Sequence, residues 1–130
     1  MQTQTIDPAD VVDLNVPNFT HGLSVAGATQ WVQLSGQVGV RPDGSLPTDF
    51  EGQCRQAFAN IGACLTEVGM GPDDVTMLRI FLTHREDLAM LRTERAAFFG
   101  DRALPSTLAF VAGLVGPDWR VELEVTAAKG

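Results

Sequence analysis

The sequence predicts an α+β fold: a mixed β-sheet with two helices on one face, in the order β-β-α-β-α-β-β. Three observations carry this. Thr48-Asp49-Phe50-Glu51 has the form of a capping box, in which a hydroxyl and a carboxylate satisfy orphan amide donors at a helix start. Behind it Phe50, Cys54, Ala57, Phe58, Ile61, Leu65 and Val68 recur at three- and four-residue steps, one apolar stripe of a helix running to about Gly69. Val75 to Thr83 (VTMLRIFLT) is a β-rich run, apolar on both faces apart from Arg79, as an interior strand is. Further on, Val121, Leu123 and Val125 alternate with Arg120, Glu122, Glu124 and Thr126, the pattern of a strand covered on one side only.

The remaining elements fall between these. Residues 1–18 pair few apolar positions and carry Pro8 and Pro17, so they read as an irregular N-terminal arm ahead of a single domain over 19–130. From Leu23 two short β-type runs meet around Gly27-Ala28-Thr29, the second being Trp31 to Ser35, and a hairpin is the simplest account. Arg41 to Ser45 supplies turn chemistry, since Pro fixes φ and Asp-Gly tolerates positive φ. Met70 to Asp74 is a second turn. A second amphipathic helix runs from Glu86 or Asp87 to Phe99, with Leu88, Leu91, Arg95 and Phe98 in line and Gly100 as its stop. A strand from Ser106 and the strand from Arg120 complete the sheet.

Composition narrows the function classes. The 130 residues suit one core. Nine Lys and Arg against sixteen Asp and Glu give a formal charge of −7, and the cations are scattered, which argues against a nucleic-acid partner. No apolar run approaches the ~20 residues that span a bilayer, and the first residues carry acids where a signal peptide carries bases, so cytoplasm is the expected location. Cys54 and Cys64 lie on one predicted helix about 15 Å apart and cannot bridge. His21 and His84 have no second ligand at metal spacing. Gly36-Gln37-Val38-Gly39 lacks the third glycine and helix start of a dinucleotide fingerprint, so neither metal nor cofactor is expected.

Assembly follows from the central strand. Alternation puts Val75, Met77 and Phe81 on one side and Leu78, Ile80 and Leu82 on the other, and one helix layer covers only one set. The second set calls for other subunits, and the mean hydropathy of +0.07 leans the same way.

The order of several short motifs resembles the Rid (YjgF/YER057c/UK114) family. The similarity lies in Gln33-Leu34-Ser35-Gly36-Gln37, in Glu67-Val68-Gly69 followed by Asp73-Asp74-Val75, and in Ala97-Phe98-Phe99. It continues through the proline-initiated strand at Pro105 to the acidic close Val121-Glu122-Leu123-Glu124, covering about residues 16 to 128. The resemblance implies a chorismate-mutase-like fold, a homotrimer whose sheets form a central barrel, and three small-molecule clefts between subunits. In relatives that hydrolyse reactive imines, an arginine two residues after the proline binds the substrate carboxylate; here that position is Thr107. A hydroxyl cannot reproduce a bidentate guanidinium clamp, which is worth about 2–5 kcal/mol at an interface. The same resemblance makes Gly36 the donor of a backbone N–H to the ligand and Glu122 the residue that positions water. It further implies that Phe19 is the cleft aromatic and Thr20 its polar follower, with His21 at a common glutamine. Arg92 takes the place of a second-helix asparagine.

Each of these has a plainer alternative. Glu122 could be a solvated strand glutamate paired with Arg120, Arg92 a surface arginine beside Glu94 and Glu86, and Thr107 an ordinary β-branched strand residue. Arg92 and Arg120 are the two guanidinium groups weighed as substitutes for the missing one. Two functional classes remain: a deaminase or hydrolase acting on a small reactive imine or enamine other than the standard 2-imino acids, with Glu122 placing water, and a trimer that binds a small molecule without chemistry. Ribonuclease activity, which appears in old family names, is disfavoured by the acidic charge.

Overall fold

A computed structural model of the chain describes residues 1–130. Strands β1 (Gln2–Ile6) and β2 (Gly22–Ala26) form a small antiparallel ladder. The main sheet contains β3 (Gln30–Gln33), β4 (Gln37–Val38), β5 (Val75–Leu82), β6 (Ser106–Phe110) and β7 (Val121–Lys129). Its order is β3-β7-β5-β6, with β4 continuing the β3 edge along β7. Helices α1 (Phe50–Glu67) and α2 (Leu88–Phe99) interrupt the strands. The β5-α2-β6 crossover makes β5 and β6 parallel, while β7 runs antiparallel to β3, β4 and β5. This is the predicted mixed α+β architecture, with β5 inside the sheet.

The helix layer rests on one face. Leu78, Ile80 and Leu82 of β5 and Val121, Leu123 and Val125 of β7 meet Cys54, Ala57, Phe58, Ile61 and Leu65 of α1 in one buried cluster, to which α2 adds Leu91 and Phe99. Each large aliphatic side chain there contributes about 1.5–3 kcal/mol. The α1 stripe therefore does what its spacing predicts from Phe50 to Leu65, whereas Val68, its last expected member, is the helix C-cap and is exposed. Its end is also as expected: Gly69 has φ +74°, and the amides of Gly69 and Met70 close on the Thr66 and Leu65 carbonyls in a Schellman turn.

Five expectations are corrected. The arm is not wholly irregular, since β1 is a polar, exposed strand held by backbone pairing, which leaves no apolar signal to read. The runs after Leu23 do not form a hairpin: Gly27, at φ +75°, sends the chain from the small ladder to the main sheet, where β3 pairs β7. The helix cap is Asp49, whose carboxylate accepts from the Gly52 amide at 2.9 Å, one residue beyond the Thr48 of the capping box. Val75 points into the core with Leu78, because a β-bulge between Val75 and Met77 shifts the alternation. The inward face of α2 carries Leu91 and Arg95 as expected, but its other buried members are Glu94 and Phe99, while Leu88 and Phe98 are only partly buried.

The opposite face of the sheet has no layer on it. Registers place Trp31 and Gln33, Glu122, Glu124 and Thr126, Met77, Arg79 and Phe81, and Thr107 side by side across it. Trp31 is 55% exposed. No helix is long and apolar enough to cross a membrane.

Candidate functional site

Gly36 and Glu122 are brought together. The chain gains one residue between the pairs Gln33↔Thr126 and Gln37↔Leu123, and this kink lays Gly36 on the Glu122 side chain. A Cβ at residue 36 would stand 2.7 Å from the Glu122 carboxyl carbon, so only glycine leaves that carboxylate its place. The Glu122 side chain has no hydrogen-bond or ion-pair partner in the chain. Arg120, its expected neighbour, instead turns to the buried Asp87, which it grips with two hydrogen bonds of 2.8 and 2.9 Å. Arg120 lies just before β7 and follows the helix side, which removes it both as the partner of Glu122 and as a free clamp.

Phe19 and Arg92 meet elsewhere, in a cavity of about 320 Å³ bounded by residues 14–19, α2 and β6. Phe19 is fixed there by a bridge to Leu104 just before β6 and by an edge contact with His21, 5.3 Å between ring centres. Arg92 is exposed and makes no hydrogen bond or ion pair. Thr20, expected to face the ligand, is buried with its hydroxyl turned to Asp7 Oδ2 at 2.8 Å and tied to the arm. The same Asp7 carboxylate accepts the His21 amide at 2.9 Å, and these two bonds hold its pKa below the usual 3.8.

Thr107 is exposed on the face away from the helices, in register with Arg79, which in turn lies opposite Glu124. The Arg79 to Glu124 approach is loose, at 3.5 Å.

One residue of the cavity had not been singled out as functional. Arg95, on the inward face of α2, is only 8% exposed, yet its guanidinium meets neutral acceptors alone: Ser106 Oγ at 3.0 Å, the Asn18 carbonyl at 2.9 Å and the Leu104 carbonyl at 3.3 Å. Burial, and then the charge of Arg92, depress its pKa. A cation in line with Leu88, Leu91 and Phe98 was the signal that could have found it. The nearby acids are taken, Glu94 by Arg55 at 2.9 Å and Asp87 by Arg120.

The candidate residues thus form two half-sites at opposite edges of one sheet. Gly36 and Glu122 lie at the β4 edge; Phe19, Arg92 and Arg95 lie at the β6 edge on the helix side, with Thr107 on the other face of β6. The β7 and β6 positions are two strands, about 10 Å, apart across the sheet. The largest depression, about 870 Å³ and lined by Pro47, His84, Trp119 and Arg120 among others, contains of the candidate residues only Arg120, which is committed to Asp87.

Comparison with known proteins agrees with this fold. The family described as Endoribonuclease L-PSP matches residues 11–129. The chain belongs to the Rid family. Among its Rid relatives, the RutC family protein YjgH of Escherichia coli K12 is 34% identical over 92 residues, 69% of this chain and 70% of YjgH. The protein named "Putative reactive intermediate deaminase TdcF" of the same organism is 26% identical over 101 residues, 75% of this chain and 78% of its own length. YyfB of Yersinia pestis, a solved member of the conserved Rid protein family, superposes with a TM-score of 0.85 at 26% identity, over 99% of this chain and 100% of YyfB.

Proposed function

We propose that this Rid chain is a subunit of a homotrimer that hydrolyses a small reactive imine or enamine-derived imine in clefts between subunits. The observation that carries the reading is the division of the site. Neither half is a reaction centre alone, and in a closed ring the β6 edge of one copy meets the β4 edge of the next. The bare sheet face, with Trp31, Met77 and Phe81 on it, supports the same assembly. The deaminase name of TdcF supports the chemistry.

In this reading Glu122 holds a water and takes its proton as the oxygen adds to the imine carbon, while the Gly36 amide polarises the electrophile. The proton passes to the nitrogen, and the tetrahedral adduct collapses to a carbonyl compound and ammonia. Thr107 offers a hydroxyl where a clamp on an α-carboxylate would need a guanidinium, so standard 2-imino acids are poor substrates. That same absence favours a second reading, a trimer that binds a small molecule without turning it over.

Ammonia release from freshly generated imines separates the two. We expect little turnover of 2-iminobutanoate and measurable turnover of another small imine, the latter falling roughly 100-fold or more in Glu122→Gln. Turnover unchanged in Glu122→Gln would refute the role of that carboxylate, and no turnover of any imine would leave the binding reading in its place. Ribonuclease activity stays disfavoured by the net charge of −7.

A further inference from the structure

The cavity behind Phe19 combines features that the proposed chemistry does not use. Its walls are Leu14, Val16, Leu88, Leu91 and Leu108, with Ile80 at its floor, and its only charged lining groups are Arg92 and Arg95. Two cations and no anion line an apolar hollow in a chain whose net charge is −7. A buried guanidinium without a countercharge is costly unless something supplies one. Arg95 spends three donors on neutral oxygens and has others to spare, and Arg92, one helical turn earlier on the same side, is wholly uncommitted.

From this juxtaposition we infer that the cavity is a binding site for a small aliphatic carboxylic acid, its carboxylate held between Arg95 and Arg92 and its chain among the leucines. The free volume, about 320 Å³, accommodates a branched chain of several carbons. The site deepens the proposed function and rests on it for its catalytic meaning. Arg95 bonds Ser106, whose side chain and that of Thr107 leave β6 on opposite faces. An acid anchored at Arg95 therefore sits across the strand from Thr107. The accepted substrates then carry a carboxylate that is read by Arg95 and Arg92 and not by residue 107.

The test is calorimetric titration of the full chain with 4-methylpentanoate, its neutral isostere 4-methylpentanamide, and inorganic phosphate. The acid is expected to bind more tightly than the amide by roughly tenfold or more, and phosphate, lacking an apolar part, not detectably. In Arg95→Gln the acid should weaken by roughly 30-fold and lose its advantage, in Arg95→Lys part of that advantage should remain, and in Arg92→Gln the loss should be about two- to fivefold. Equal binding of acid and amide, absence of binding by either, phosphate binding as tightly as the acid, or an unchanged acid preference in a folded Arg95→Gln would overturn the assignment. The acid-over-amide comparison on the unaltered protein needs no variant to fold. Repeating the titration in Glu122→Gln separates the two readings: acid binding there with no imine turnover in the parent sinks the catalytic proposal alone, whereas turnover without acid preference sinks this one alone.

Discussion

A methyl group at position 36 would stand 2.7 Å from the Glu122 carboxyl carbon and would have to push that side chain aside. Gly36→Ala is therefore expected to leave the melting temperature nearly unchanged and to lower imine turnover by up to about 100-fold, the scale of a 1 Å misplacement of a reacting group. In a Glu122→Ala background the same substitution should do nothing further, and a double-mutant cycle of the four proteins checks that coupling. The Asp87 to Arg120 pair is a structural counterpart. Asp87 is buried and Arg120 partly open to solvent, so Asp87→Ala should cost about 2–3 kcal/mol, less than the ~3–5 of a fully buried pair, and denaturant unfolding reads it. The two thiols differ as well. Burial, then the charges of Glu94 and Asp87, push Cys54 up to about 12, so at pH 8 an alkylating reagent should label the partly exposed Cys64 and spare Cys54 until the chain unfolds.

At the scale of elements, the sequence was most readable where one face is buried and least where none is. The α1 stripe, the β5 run and the alternation in β7 all record burial, and all three stand where they were expected. Strand β1 records none: its five residues are exposed, and only its backbone bonds to β2 define it. The Val75 bulge and the Gly27 redirection are likewise backbone events that a two-residue period cannot express. Of the site, Gly36 and Glu122 lie together, as the role proposed for them requires, but Arg120 and Thr20 turn to acids distant in sequence, Asp87 and Asp7, which no local spacing reveals. Asp7 also gives the arm a pH dependence. Its folded pKa is depressed, so the stability it lends to docking is fully present above its unfolded value near 4 and is lost as pH falls through the lower folded value. Hydrogen exchange of the β1 amides should accelerate below about pH 4, and Asp7→Asn should reproduce that at neutral pH while global unfolding barely moves.

For the whole molecule, the sheet divides what the chemistry needs. One edge presents Glu122 with Gly36, the other presents Phe19, Arg92 and Arg95, and between them lies a face whose Trp31 is more than half exposed. The proposed ring of copies would cover that face and complete each cleft with the same set of contacts, at about 25 cal/mol for each Å² of apolar surface removed from water. The net charge of −7 per chain keeps such a particle soluble and predicts that its assembly tightens with added salt, as like charges are screened. Sedimentation equilibrium at micromolar concentration tests this most directly. The account predicts a mass three times the 13.9 kDa of the chain; a single species at 13.9 kDa would contradict it, and with it any site assembled from two subunits.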